Sequence, residues 1–292
     1  MPSLKDVEMQ IKAVKKTKQI TKAMNMVASA KLRNAQARIE RFGPYADKFY
    51  EMLGDLAAGA DHSAHELLEV REEIKTVAIM LVTSDKGLCG SFNANLINTS
   101  LKLARAKAAE GKEVKFYCIG KKGASSIRKR EFEVVSALTD EMNNFDFTLA
   151  NKLGMETIGA YLRGDFDEVH IVYGHFLNVA RQVPEELQIL PIQSHEVPEG
   201  EEAGAQAEYT YEPSVEGLLV ELLPRFIKVQ IYRGLLDTSA SEHAARMAAM
   251  DNATKNCDEM VDTLTLEYNK ARQAAITKEL MDIVGGAEAL KG

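Results

Sequence analysis

From Ser3 to Phe42 the chain contains neither glycine nor proline. A stretch of that length without a breaker is committed to one long helix. Steps of three and four pick out Leu4, Val7, Ile11, Val14, Lys18, Thr21, Asn25, Ala28, Leu32, Ala35, Ile39 and Phe42, which is the spacing of a heptad seam. That seam is apolar at both ends and polar or small through its middle. At ~1.5 Å rise per residue the helix spans about 58 Å. Gly43-Pro44 is expected to kink or restart it, and the helical pattern continues to about Leu56.

The other end of the chain mirrors this. Leu235 to Val284 again lacks glycine and proline, and His243, Met247, Met250, Thr254, Cys257, Val261, Leu264, Tyr268, Ala271 and Ala275 keep strict four-three spacing. The helix is expected to begin near Ser214, after Pro213, with Gly217 and Pro224 in its first turns. Two long seamed helices at the two ends of one chain pair most simply as an antiparallel coiled coil. A buried Leu exchanged for Ala typically costs about 2–5 kcal/mol, so Lys18, Thr21, Asn25 and Ala28 give up stability that leucines would supply. Such a lean helix fixes register and suits surroundings that are partly water and partly another protein. Near the end, Ile276, Leu280, Ile283 and Val284 form a broad apolar face. The first helix is too short to cover all of it, which implies a receptor.

Between the helices the period changes. "KTVAIMLVTS" (75–84), "EVKFYCIG" (113–120) and "DEVHIVYGHF" (167–176) read as buried strands. Helical stretches 92–111, 121–130 and 147–164 separate them, and "RQVPEELQILPIQ" adds an edge strand where proline is tolerable. Strand–helix alternation predicts a small Rossmann-like α/β domain with a largely parallel sheet. The expected organisation is an N-terminal coiled-coil helix (1–57), a linker (58–74), the α/β domain (75–193), an acidic linker (194–210) and a C-terminal coiled-coil helix (211–292). The fold class is therefore α/β plus a long antiparallel coiled coil.

Charge is unevenly spread. Residues 1–42 carry ten Lys/Arg against Asp6, Glu8 and Glu40, a balance of +7 in a chain whose net charge is −7. A basic segment on an acidic chain suggests an acidic partner surface. Nucleic acid is disfavoured, because no stacking aromatics or folded nucleic-acid module accompany the cations. Cys89, Cys118 and Cys257 are odd in number and scattered, which fits a reducing compartment and no disulfide framework. No apolar run is long enough to cross a bilayer, and "MPSLKDVEMQ" lacks the apolar core of a secretory signal.

Chemistry is not advertised. "SDKGLCGSFN" (84–93) sits where a strand feeds a helix, yet it matches neither a P-loop nor a dinucleotide fingerprint. It reads as a tight turn with Ser91 or Asn93 capping the next helix. His62/His65, with Glu66 nearby, and His170/His175 lack the neighbours a zinc site needs. Asp61/Glu66 and Glu72/Glu73 read as solvated faces. No G-x-S-x-G is present. No catalytic residue, metal site or cofactor is expected.

Three stretches carry a resemblance: "ITKAMNMVASAKLRNAQ", "TSDKGLCGSFN", and the block from "SEHAARMAAMDNATKN" to "ITKELMDIVGGAEAL". Across essentially the whole chain they resemble the gamma subunit of rotary (F-type) ATP synthases. The resemblance implies a central stalk whose coiled coil enters the ring of alpha and beta subunits. The α/β domain and lower coil would form a foot on the membrane c-ring, with the epsilon subunit as a further partner. Rotation would drive the beta subunits through different nucleotide affinities, and the chain itself would catalyse nothing. Lys22, Met24, Val27 and Ala28 match the segment facing beta-subunit loops. Lys86, Gly87, Leu88 and Cys89 match a loop reaching the underside of the ring. Arg272 and Gln273 match a polar pair that engages a beta-subunit loop, and Ile276, Leu280, Ile283 and Val284 match a tip seated in an apolar sleeve. Tyr209, Tyr211 and Glu212 match the foot beside the c-ring. The inserted cysteine pair of chloroplast-type members is missing, as is an Arg/Ser-rich leader. A bacterial protein at the cytoplasmic face of the plasma membrane is expected. The competing readings are a nucleotide-binding α/β enzyme with a coiled-coil dimerisation arm, and an adaptor binding RNA through residues 1–42.

Overall fold

The computed structural model describes residues 3–58, 65–71, 73–192 and 215–289. In chain order the elements are α1 (Leu4–Ala58), β1 (Thr76–Val82), α2 (Phe92–Ala109), β2 (Glu113–Ile119), α3 (Lys121–Ile127), β3 (Glu133–Leu138), α4 (Phe147–Leu162), β4 (Glu168–Phe176), β5 (Gln182–Leu190) and α5 (Val215–Ala289). They divide into two compact units. One is Met1–Ser29 with Arg246–Gly292, and the other is Ala30–Ala245.

The larger unit is built on a five-stranded sheet ordered β3-β2-β1-β4-β5. β1 runs parallel to β2 and β4, β2 runs parallel to β3, and β5 is antiparallel to β4. β1 is apolar on both sides because both sides are covered. Val77, Ile79 and Leu81 face the layer containing α2 and α3. Ala78, Met80 and Val82 face the other layer, where α4, the early part of α5 and the late part of α1 gather. In α5, Leu219, Leu223, Phe226, Ile227, Ile231 and Leu235 form one buried stripe, each side chain worth roughly 1.5–3 kcal/mol of burial. The expected strands are all present. β5 is an edge strand, with Pro184 opposite Gly174, a position where a missing N–H is tolerated.

Three expectations need correction. First, β3 was not anticipated. It is six residues long at the opposite edge and follows the charged run "RKREFE", so neither length nor alternation announces it. Second, α1 passes through Gly43-Pro44 without a restart. An interior proline costs about 3 kcal/mol, and an aromatic cluster around it offsets that loss. Phe42 meets Tyr232 edge-on at 4.8 Å, and Phe49 stacks on Phe226 at 6.5 Å. Third, the segment 58–74 is not simply a linker. Leu67 and Leu68 are buried in the core, and the Leu67 carbonyl accepts from Ile192 N at 2.9 Å. The acidic stretch 194–210 lies outside the described residues, as do Asp61, His62 and Glu72.

Two polar clusters tie the sheet to its surroundings. Arg71 donates to Asp167 Oδ1 at 2.6 Å and to the carbonyls of Phe166 and Tyr161, and its guanidinium lies over the Tyr161 ring. Asp167 in turn accepts from the backbone of Lys75 and Thr76. On β4, the buried Glu168 meets Lys107 and His170, each at 2.6 Å. Burial alone would push its carboxyl up, but the hydrogen bonds with His170 and Lys107 pull it down to about 2.

The pH consequence follows from that sign. A carboxyl depressed in the folded state contributes stability above its unfolded value near 4.5, and that stability is lost as pH falls toward about 2. Urea titrations of Glu168→Gln are expected to show about 2–3 kcal/mol less stability at pH 7. They should also show a shallower loss than the parent between pH 4.5 and 2. Equal acid slopes in the two proteins would contradict the assignment. Arg71→Ala is expected to cost about 2 kcal/mol by the same measurement, since it strands a mostly buried carboxylate.

Candidate functional site

The smaller unit is a pair of helices, the first half of α1 against the second half of α5. Its seam is the one that the periodicity predicts. Val7, Thr21 and Ala28 are buried, while Leu4, Ile11, Val14, Lys18 and Asn25 are half-buried. Opposite them, Met250 is buried, and Met247, Thr254, Cys257, Val261, Leu264, Tyr268 and Ala271 are half-buried. The cross-links run antiparallel. Asn25 Nδ2 donates to the Met247 carbonyl at 2.9 Å, the hydroxyls of Thr21 and Thr254 share a hydrogen bond at 2.8 Å, and Lys18 pairs with Asp258. The polar middle of the seam is therefore a set of cross-helix contacts that fit in one register. A slip of one heptad would separate every pair.

The register has an end. Ser3 opens α1 as a capping residue, its hydroxyl donating to Asp6 while Asp6 N donates back to it. Leu4 then lies beside Arg272, Ala275 and Ile276 around an open groove of about 450 Å³. Lys278, Glu279 and Asp282 line the same groove, and α5 continues beyond it to Ala289. Arg272 and Gln273 are exposed, as are Ile276 (50%), Leu280 (57%), Ile283 (68%) and Val284 (53%). Met281, at 68%, belongs to the same bare tip and was missed because it lies off the stripe used to trace the face.

The remaining expected contact residues sort by exposure. Lys22 and Val27 stand outside the seam, the latter 58% exposed, and Met24 is half-buried. Ala28 is buried within the seam, so its side chain presents no surface to a partner. In the loop after β1, Lys86 and Leu88 are exposed, Gly87 is half-buried and Cys89 is buried. Leu88 holds φ of 64°, a left-handed conformation that a leucine adopts only when its surroundings enforce it. Tyr209, Tyr211 and Glu212 lie outside the described residues. Ile20, Met26, Met260 and Leu266, all more than half exposed, are further apolar side chains off the seam. They were legible as apolar positions that break the four-three spacing.

The crevice at the carboxyl ends of β1 and β4 is where an open α/β sheet would hold a nucleotide. Here it is filled with protein. Gly174 of β4 has no room for a Cβ, which would meet the Phe92 ring at 2.6 Å. Ser241 donates to the Gly174 carbonyl at 2.9 Å, and Gly174 N donates to Thr238 at 3.1 Å. The loop is closed from within. Asn93 bonds Ser84 rather than capping α2, Ser91 occupies the cap position but its hydroxyl accepts from the Asn95 side chain and makes no capping bond to the backbone, and Asp85 accepts from the backbone of Lys121, Asp140 and Met142. Gly120, at φ of 96°, brings β2 so close that a Cβ would sit 2.1 Å from the Thr83 carbonyl. His65 accepts from Leu67 N, and His175 pairs with Asp237 at 2.9 Å. Burial pushes the Cys118 thiol up to about 12, away from nucleophilic use. No group of three metal-ligating side chains occurs among the described residues.

The sequence model described as ATP synthase matches residues 3–290. The chain is 72% identical, over the full length of both proteins, to the ATP synthase gamma chain of Nitratidesulfovibrio vulgaris Hildenborough, and 52% identical over full length to that of Lawsonia intracellularis. The chain belongs to the ATP synthase gamma family. Gamma chains are central-stalk rotor subunits. Among solved structures, a chain of the Tetrahymena thermophila mitochondrial ATP synthase central stalk and c-ring aligns with a TM-score of 0.58 at 25% identity, covering 80% of this chain and 99% of that one. A chain from the Euglena gracilis mitochondrial F1/c-ring assembly aligns with a TM-score of 0.68 at 19% identity, covering 98% and 94%; that likeness concerns the fold. No described helix is long and apolar enough to cross a membrane.

The gamma-family seam yields a direct expectation. Exchanging the Thr21–Thr254 pair for leucines removes a matched hydrogen bond and adds apolar contact, so the double variant is expected to gain about 1–3 kcal/mol. Thermal melting of the purified chain reads this. A lowered midpoint would mean that the two positions do not face each other.

Proposed function

We propose that this gamma-family chain is the rotor shaft that couples ion-driven turning of a membrane c-ring to ATP synthesis on the beta subunits. It performs no chemistry of its own. The observation that carries the reading is the bare apolar end of α5, which continues past the start of α1 with Ile276, Leu280, Ile283 and Val284 exposed. Leaving such a surface to water is unfavourable, and an apolar sleeve at the centre of an alpha–beta ring would cover it. Below the tip, Arg272 and Gln273 would engage a beta-subunit loop. Lys22, Met24 and Val27 face beta-subunit loops in the same reading, with Ala28 supporting them from the seam. Lys86, Gly87 and Leu88 reach the underside of the ring, with Cys89 anchoring their loop. Tyr209, Tyr211 and Glu212 are assigned to the foot on the c-ring, where the epsilon subunit would also bind. The basic first helix fits acidic loops and speeds their encounter. The filled crevice of the sheet supports a mechanical role over a nucleotide-binding one. The complex would sit at the cytoplasmic face of a bacterial plasma membrane, with this chain held there peripherally.

Replacing Arg272 and Gln273 together with alanine tests the coupling role. Both side chains are exposed, so the isolated chain is expected to keep its melting midpoint within about 0.5 kcal/mol of stability. ATP-driven proton pumping by membranes carrying the variant is expected to fall several-fold. Pumping at the parent rate would remove these two residues from the contact.

A further inference from the structure

We propose that the outward side of the α2–α3 layer is an interaction surface for a carboxylate-rich protein partner, separate from the basic first helix. This rests on the rotor reading in one respect only: the partner belongs to the same assembly.

The charge pattern here is extreme. Residues 92–109 and 121–130 hold eight Lys/Arg and no Asp or Glu, in a chain of net charge −7. α2 and α3 pack side by side on one face of the sheet through Leu96, Leu101, Ala104, Ala124 and Ile127. Exposed along this layer are Lys102 and Arg105 of α2, Lys121 and Lys122 at the start of α3, and Arg128, Lys129 and Arg130 in the turn that follows it. Of the neighbouring carboxylates all but the exposed Glu131 are already engaged. Glu168 holds Lys107, Glu110 holds Lys112, and Glu113 and Glu133 both face Lys115. None of these seven exposed cations takes part in an ion pair among the described residues. Elsewhere some exposed cations find partners, Lys12 with Glu8, Arg163 with Asp165, Arg225 with Glu221 and Lys255 with Asp251, whereas Lys5, Lys15, Lys16 and Lys22 of the basic first helix have no ion pair among the described residues either. A surface of uncompensated like charge repels itself, and an opposing acidic surface relieves that repulsion.

The surroundings favour protein over the other polyanions. Between residues 89 and 134 no large apolar side chain is exposed, and Leu88, beside the Gly87 that Lys122 approaches, stands alone at the edge; one leucine falls short of the apolar face that seats a protein in a lipid interface. The same stretch exposes no aromatic ring on which bases could stack. What remains is a polar, salt-sensitive docking face suited to a run of Asp and Glu.

Carbodiimide joins a lysine amine directly to a carboxylate in contact with it, and the purified ATP synthase assembly is the sample. Peptide mapping is expected to show Lys121, Lys122 or Lys129 joined to Asp or Glu of another polypeptide at low ionic strength. At high ionic strength these links should fall several-fold. A variant carrying Lys121→Gln, Lys122→Gln and Lys129→Gln should lose them while keeping its circular dichroism and its ring. Three results overturn the surface while leaving the rotor reading intact: no interchain links in a complete assembly, links only to this chain's own stretch 194–212 with its six Glu and no Lys or Arg, or binding to phosphatidylglycerol vesicles that the variant abolishes without any protein link. Failure of the chain to co-purify with a ring would overturn both.

Discussion

The structure depends on a short polar contact set between two helices. Asn25 reaches the Met247 backbone, Thr21 meets Thr254, and Lys18 meets Asp258. None of these is strong; exposed ion pairs and single hydrogen bonds contribute about 1 kcal/mol or less apiece. Their value lies in agreement. An apolar seam can slip by a heptad and bury the same area, whereas these three contacts are all made in one alignment only. That alignment fixes how far α5 outruns α1, and so how much apolar surface is left for a partner to cover.

The larger unit shows how a fold that often binds nucleotides serves another purpose. Its sheet has the reversal of strand order between β1 and β4 that opens a crevice. Phe92, Thr238 and Ser241 fill it, and Gly174 is needed because the approach is so close. Buried polar groups that might look catalytic serve structure instead. Asp85 ties together the turns that follow β2 and β3, and Glu168 links β4 to α2. Fold alone would have suggested chemistry, and the side chains in the crevice argue against it.

Much of this was legible in the sequence, because periodicity is a long-range signal that accumulates over many residues. Every seam position from Leu4 to Phe42 is at least half-buried, and the seam of α5 holds until Ala275, which is exposed where α1 runs out. The strands β1, β2 and β4 were equally plain, being buried on both sides. Short elements were not. β3 carries only six residues, and Leu67-Leu68 is a two-residue plug; neither is long enough to establish a period. At Pro44 the expected alternatives were a kink or a restart; the restart does not occur, because the packing of Phe42 and Phe49 carries the helix through it. Among the contact residues, exposure could not be read from motif matching. Ala28 and Cys89 sit inside the protein although their neighbours Val27 and Leu88 stand outside. The α2–α3 charge pattern was readable as a run without carboxylates, but only the packing of the two helices joins it into one surface.

The central claim is that both ends of the chain wind together antiparallel in the alignment that sets Thr21 against Thr254. Cysteines placed at those two positions, with Cys257 changed to serine, test it most directly by disulfide formation under mild oxidation, since a disulfide demands Cα atoms within about 7 Å. The account predicts rapid, nearly complete closure within a single chain, and almost none when Thr21→Cys is combined instead with Val261→Cys, one heptad away. Equal closure of both pairs, or closure only between separate chains, would contradict it.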